Sequence, residues 1–241
     1  MRFVAVGHVT NDRIDGKIIA GGSALYAALT ARALGCEAEI ITSHAPDWVG
    51  STDIPMRVVP ARQTTTFEHV YQGGRRRSWV RSVAAPLQGT IEADIVFLCP
   101  VAGEVTARGR GLVGAGLQGW LRHIDLAGEV SSRPLEKLPD ADVYFASTHD
   151  LSQPPDVPLF LWTDGARGVR VGVDGSFHFL PAAPADEVDP TGAGDVFAAA
   201  FLVALYRTHD AVHAAKVAVR VAAVAVEGVG TSALSRLTSM D

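Results

Sequence analysis

The sequence predicts an α/β fold built around a largely parallel sheet, and three observations carry that expectation. Short runs rich in Val, Ile and Phe recur along the chain, segments with helical periodicity follow several of them, and two alternating stretches are each split by a turn dipeptide. Strands are expected at residues 2–6, 38–42, 57–59, 94–98, 143–145, 159–163 and 169–173. Most of these runs are apolar without interruption, as in strands covered on both faces. Helices are expected at 23–34, where Gly35 supplies a stop, at 194–206 and at 211–226.

Two stretches read as hairpins. In "DRIDGKIIA" the pair Asp15-Gly16 separates two short β-compatible runs, and both residues tolerate the positive φ that a two-residue turn needs. In "TTFEHVYQGGRRRSWVRSV" the pair Gly73-Gly74 divides two alternating runs. Neither hairpin is apolar enough to form a core of its own. The chain therefore reads as one domain over residues 1–241, with hairpins near 12–20 and 64–83 forming a small flap.

Composition narrows the class of ligand. The 241 residues are 48% hydrophobic and 20% charged, the profile of a soluble globular protein with a large core. A net charge of −5 and a pI near 5.9 argue against nucleic-acid or membrane-surface partners, which need a dominant basic face. Cys36 and Cys99 lack a CxxC spacing, so neither a disulfide framework nor a thiolate zinc site is expected, and a reducing cytoplasm fits. The opening "MRFVAVGHVTND" turns polar too early for a leader peptide, and no apolar run approaches the roughly 18 residues of a membrane span.

The chemistry concentrates in "VDPTGAGDVFAAAF", residues 188–201. A Gly-rich turn feeding an apolar helix leaves free backbone N–H groups pointing outward, with the positive end of the helix dipole behind them. Gly192, Ala193 and Gly194 carry side chains small enough to let a phosphate approach those amides. Asp195 falls in the first helical turn, where a carboxylate can take a proton from a hydroxyl attacking a phosphorus atom. The dipole is expected to lower its pKa. The bland alternative makes Asp189 or Thr191 an N-cap, Asp195 a complement to the dipole and the glycines a tight turn.

"DPTGAGDVFAAAF" resembles the C-terminal signature of the ribokinase-like (PfkB) carbohydrate kinases: Asp, any residue, Thr, Gly, Ala, Gly, Asp at a helix start. The likeness extends along the chain. "VGHVTNDRI" is similar to the family's first strand and substrate-binding Asp, which falls on Asp12; "GGSALYAALTARALG" is similar to its Gly-Gly turn and helix, making Gly21 and Gly22 a surface against the substrate. "TDGARG" resembles the turn that holds nucleotide phosphates, through Thr163, Gly165, Arg167 and Gly168, and "VAVEGVGTSAL" the closing segment near the adenine, with Gly230. The two hairpins sit where the family's lid belongs.

The resemblance implies a three-layer α/β/α ribokinase-like fold with a reduced β lid, and an ATP-dependent kinase acting on a small sugar, polyol or nucleoside. It makes Asp195 the base, the amides of residues 192–195 an anion hole, and Asp189 with Thr191 the holders of a monovalent cation such as K⁺. Mg²⁺ arrives with ATP. The family's Asn, two residues, Glu motif, which organises the Mg²⁺ waters, is replaced after residue 145 by "STHD", where Asp150 stands in for the Glu. Tyr26 occupies the place of an Asn that reads sugar hydroxyls, which argues against ribose itself. "LQGWLR" and "ASTHD" look more like the compact branch that includes myo-inositol kinase. Monomer and homodimer both remain open.

Other signals have weaker context. "GAGLQG" spells the GxGxxG of a dinucleotide site, yet the following "HIDLAGEVSSRPLEKLPD" breaks with Gly and Pro where a helix and an acidic strand end are needed. In a kinase it is a strand end facing the substrate, with Gln118 as a hydroxyl contact and Arg122 either turned to the same place or a surface charge. His209 and His213 have zinc spacing without a third ligand. Residues 75–77, all Arg, read as a solvated hairpin tip, the alternative being contact with an anionic ligand or a partner subunit. A non-catalytic nucleotide-binding regulator of the same fold, motivated by the "STHD" departure, is the second functional reading.

Overall fold

The computed structural model describes residues 1–72 and 75–239. The first third contains β1 (Arg2–Val6), β2 (Thr10–Ile14), β3 (Lys17–Gly21), α1 (Ser23–Ala33), β4 (Glu37–His44), β5 (Met56–Pro60), β6 (Thr65–Gln72) and β7 (Arg75–Ser82). The middle contains β8 (Thr90–Leu98), β9 (Arg108–Gly116), β10 (Arg122–Ile124), β11 (Val130–Ser132), β12 (Val143–Ser147) and β13 (Leu159–Thr163). β14 (Gly168–Val173), β15 (Ser176–Pro181), α2 (Ala193–Thr208) and α3 (Ala211–Ala225) complete it.

Nine strands form the main sheet in the order β15-β14-β13-β12-β9-β8-β1-β4-β5. From β13 to β5 every neighbouring pair is parallel, and β14 and β15 close the far edge antiparallel. The parallel strands therefore end on one common edge, where open α/β sheets bind their ligands. β9, of which the sequence reading caught only the end at "GAGLQG", was otherwise hidden because "RGRGLVGAG" is almost half glycine, a residue that strands disfavour. The glycine at 114 has a packing reason: a Cβ there would stand 2.6 Å from Leu202 Cδ1 of α2.

The three α-helices pack on one face. Phe3, Ile95, Phe97, Val143 and Leu161 of the sheet share a core with residues of α1, α2 and α3. α2 is buried all round from Val196 to Ala204, so its alanines are spacers between the sheet on one side and its two neighbouring helices on the other. Phe201 is fully buried, and its truncation to Ala would cost about 3–5 kcal/mol. The opposite layer is made of connecting segments and the 3₁₀ turn Leu117–Gly119, which cover Val4, Val6, Val96, Leu98, Ala115 and Tyr144.

The two hairpins join in a separate four-stranded sheet, order β3-β2-β6-β7, with β2 and β6 parallel. Asp15 and Gly16 both take positive φ, 49° and 75°, as the Asp-Gly signal requires. Gly73 and Gly74, read as the second turn, lie outside the described residues. Fully buried His8 ties this lid to the main sheet: Nδ1 lies 2.7 Å from Thr65 Oγ1, Nε2 lies 2.8 Å from the Ala85 carbonyl, and its backbone N–H donates to Glu104. No helix among the described residues is long and apolar enough to cross a membrane.

Candidate active site

The tip of α2 stands at the meeting point of two cavities. One, about 350 Å³, is bounded by the lid, the strand ends of β8, β9 and β12 and the α2 tip. The other, a groove of about 420 Å³, runs between the turn after β13, the segment after β15, the start of α2 and the C-terminal half of α3. Thr163, Gly165, Pro190, Ala193, Gly194 and Phe197 line both.

The tip is a backbone device. Gly192 caps α2 at φ 78°, a left-handed conformation that glycine adopts without strain, and a Cβ there would lie 2.3 Å from the Tyr26 ring. Tyr26 is thus a brace under the turn, buried to 3% exposure, and its hydroxyl pKa is raised by that burial and by Asp189, Asp12 and Asp195. The expected anion hole is narrower than residues 192–195. The Ala193 N–H donates to Pro190 O at 3.2 Å and the Asp195 N–H to Gly192 O at 3.0 Å, so both are already used within the turn. The N–H groups of Gly192 and Gly194 meet no protein acceptor among the described residues. Gly194 is exposed, with open space where a Cβ would stand.

Asp195 lines the cavity under the lid from the first turn of α2. The expectation that the dipole depresses its pKa is overturned: burial pushes the carboxyl up to about 6, against the pull of a Ser23 hydrogen bond and the Arg122 charge, with Asp150 adding to the rise. The carboxyl keeps some open surface, but toward the cavity, and the surrounding protein removes most of the water that would solvate its charge.

Asp12 projects from β2 into the same cavity, with Thr10 Oγ1 donating to Oδ1 at 2.9 Å. Its pKa is raised by burial, and the Thr10 bond, Arg122 and Arg76 oppose the rise. Gly21 makes room for it, since a Cβ at 21 would stand 2.2 Å from Asp12 Oδ2. Gly22, at φ 102°, lets the start of α1 pass within 2.3 Å (measured from a would-be Cβ) of the His8 carbonyl. Gln118 lines the cavity and accepts from Arg122 Nη2 at 2.8 Å.

Asp150 and Thr191 also face the cavity under the lid, and Gly168 the groove. Asp150 Oδ2 accepts from the Ser147 N–H and hydroxyl, at 3.1 and 2.7 Å. Asp189 lines neither cavity; its Oδ1 accepts from the Thr191 N–H and its Oδ2 from the Gly230 N–H, both at 2.9 Å. Gly230 is therefore a fastening point for the turn and not a groove wall. Arg167 is likewise outside both cavities, paired with Asp164 at 2.6 Å. Among the described residues no group of three His, Cys, Asp or Glu is placed to hold a metal. The His209 and His213 spacing dissolves, because His209 caps the end of α2 and His213 belongs to α3.

Several cavity residues were not singled out by sequence, among them Phe67 and His69, which face it from β6; Arg76, expected at a solvated hairpin tip with ligand contact as the alternative, faces it from β7. The pairings Phe67↔Val80, His69↔Ser78 and Tyr71↔Arg76 put these positions on one face of the lid, so the two-residue alternation of the hairpin carried the signal. Burial, Arg76 and Arg122 lower the His69 pKa to about 4, leaving a neutral ring at physiological pH. The groove walls, Ala182, Ala183, Pro184, Val219, Ala222 and Val226, had no motif to announce them.

Residues 135–237, which carry the groove and the α2 tip, match the model of the pfkB family carbohydrate kinases. The matched segment is less than half of the chain. The ribokinase of Bacillus subtilis (strain 168) is 43% identical over 68 residues, which is 28% of this chain and 23% of that protein, so the match spans about a quarter of the curated relative. A pyrophosphate-dependent kinase of the ribokinase family, solved with a pyrophosphate analogue and myo-inositol, superposes at TM-score 0.81 with 22% identity, covering 97% of this chain and 98% of that one. Arabidopsis thaliana ribokinase with ribose and ATP superposes at 0.70 with 16% identity and 99% of both chains. At these identities the structures establish a ribokinase-like fold.

Proposed function

We propose that the protein transfers the γ-phosphoryl group of ATP to a hydroxyl of a small sugar, polyol or nucleoside. One observation carries the reading: a cavity-facing carboxylate, Asp195, adjoins two unclaimed N–H groups where the cavity under the lid and the groove meet. The acceptor occupies the cavity under the lid with its hydroxyl toward Asp195, and the donor phosphates lie at the shared residues. The acceptor oxygen forms the new P–O bond, the bond from phosphorus to the ADP oxygen breaks, and the hydroxyl proton passes to Asp195. The Gly192 and Gly194 amides stabilise the charge of the transferring group. With a pKa of about 6, Asp195 is ionised at neutral pH and a better proton acceptor than an ordinary carboxylate.

The donor assignment rests on the groove. Its Ala, Val and Pro walls suit the flat faces of a nucleobase, whereas pyrophosphate, the donor of the structural neighbour described above, has nothing to place there. Mg²⁺ bound to the donor phosphates would neutralise their charge; Asp150, with Oδ1 free of hydrogen bonds among the described residues, is the cavity carboxylate suited to its waters. Asp189 would support a monovalent cation from behind the turn.

The test is an ADP-release screen over inositols, pentoses, hexoses and nucleosides, run with and without K⁺ and repeated with pyrophosphate as donor. Acceptor-dependent ADP release supports the kinase. Nucleotide binding without turnover on any acceptor would favour the non-catalytic regulator instead, and turnover with pyrophosphate alone would remove ATP.

A further inference from the structure

Glu104, in the segment between β8 and β9, is the only Asp, Glu, Lys or Arg among the described residues whose surface is almost wholly covered, at 6% exposure. A buried carboxylate is costly unless donors surround it. Three backbone N–H groups do so, from His8 at 3.1 Å, from Val101 at 3.0 Å to both oxygens and from Ala102 at 2.7 Å. Among the described residues no Lys or Arg nitrogen lies within 4.0 Å of it. The His8 ring, with Nδ1 at 3.9 Å, is spent on Thr65 and Ala85. Glu104 lines neither cavity, so the transfer chemistry does not use it directly.

The Ala102 N–H and the Val101 carbonyl belong to one planar peptide group. Its N–H end donates to Glu104, and its C=O end accepts from Arg122 Nη1 at 2.6 Å. One rigid dipole therefore joins the buried carboxylate to a guanidinium that lines the cavity under the lid, and each charge strengthens the other's bond. Burial and Arg76 lower the Arg122 pKa, while Asp150, Asp195 and Glu104 act against them. Of these three carboxylates, Glu104 is the one with a bonded path to Arg122 among the described residues.

Arg122 passes the constraint on, donating from Nη2 to Gln118 at 2.8 Å. A guanidinium has no acceptor, so the amide atom it meets is the oxygen. The Gln118 NH2 is left without a partner among the described residues, on a side chain that lines the cavity. Gly119 seats the same turn on the segment that Glu104 holds, since a Cβ there would stand 2.2 Å from the Pro100 carbonyl oxygen. We infer that Glu104 is a positioning residue for acceptor recognition: through the 101–102 peptide it fixes Arg122, and Arg122 fixes Gln118 with its NH2 donating to a hydroxyl oxygen of the bound alcohol. The inference rests on the kinase reading only in calling that alcohol the acceptor.

A double-mutant cycle on the full-length chain tests it, by calorimetric binding of myo-inositol, D-ribose and adenosine in the presence of a non-hydrolysable ATP analogue and Mg²⁺. The probe that binds the parent chain most tightly is followed through the variants. Glu104→Gln, which removes the charge and turns amide donors on backbone donors, should weaken that probe about tenfold. Arg122→Met, which keeps a long stem beside Phe67, should weaken it by a similar factor. The double variant should lose no more than about threefold beyond the larger single loss, because both changes break one chain of bonds. Affinity for the ATP analogue should stay within about twofold throughout. If Glu104→Gln does not fold, Glu104→Asp, which withdraws the carboxylate by one methylene, takes its place in the cycle with an expected loss of about threefold. Multiplying losses in the double variant overturn the inference, since a purely structural clamp would act independently of Arg122. So do unchanged probe affinity in the Glu104 variant, an equal fall in nucleotide affinity, or failure of all three probes to bind the parent chain. Failure of the kinase reading is a separate result, seen as absent turnover while the probe still binds and the cycle still couples.

Discussion

The two cavities that meet at the α2 tip are built by opposite means. The cavity under the lid, proposed for the acceptor, is walled by polar and charged side chains, Asp12, His69, Arg76, Gln118, Arg122 and Asp150, delivered from six separate strands and turns. The donor groove is walled by backbone and by the small apolar side chains of residues 182–185 and α3. Side-chain recognition can discriminate between acceptors because each polar group left unpaired costs binding energy. An apolar slot with few polar groups accepts a flat ring with little discrimination beyond shape. Specificity should therefore lie on the lid side, and the reaction itself at the tip the two share.

The sharpest way to break this division is Asp195→Asn. It should lower turnover at least about 100-fold while ATP affinity stays within about threefold, because the carboxylate faces the acceptor. Equilibrium binding and single-turnover assays together check it. Next in size is the pH profile. With Asp195 near 6, kcat/KM should be flat above about pH 7 and fall about tenfold per unit well below pH 6, whichever acceptor is used. A midpoint near 4 would mean that burial does not govern this group.

Filling the groove separates donor from acceptor. Ala222→Phe should raise KM for ATP about tenfold or more and leave acceptor affinity within about twofold. If ATP kinetics stay unchanged, the base does not lie there. The smallest effect is on stability. Asp195 keeps its proton up to about pH 6 in the folded chain but releases it near 3.8 when unfolded, so the folded state binds more protons between those values. The stability contributed by the neutral carboxyl is present below about 3.8 and lost as pH rises through about 6. Asp195→Asn should therefore melt a few degrees above the parent at pH 8, with the gap closing toward pH 4, as scanning calorimetry can follow.

The same contrast explains what was legible in the chain. The α2 tip was readable because its elements are contiguous: glycines, a carboxylate and an apolar helix within residues 192–204. Asp12, Gly21 and Gly22 were singled out by resemblance to the family's first strand and Gly-Gly turn, and the Asp-Gly hairpin brings Asp12 and Gly21 together. β9 was hidden by its glycines, and Arg122 by a local sequence that fits a surface charge equally well. The groove had no sequence signature because alanine, valine and proline line it by position alone. Arg167 and Gly230 belong to matching segments, yet one turns to Asp164 and the other to Asp189.

By itself the sequence determined seven of the nine main-sheet strands, the helices, both hairpins and the glycine-rich tip of α2, since each depends on backbone preferences and polarity patterns within a dozen or so residues. Only the tertiary structure decided the ionisation of Asp195 and the pairing of Arg76 with Arg122 in one cavity. Solvation and charge act through space, and the groups that set them lie far apart along the chain: Asp195 is 172 residues from Ser23, 73 from Arg122 and 45 from Asp150, and the two arginines are 46 apart.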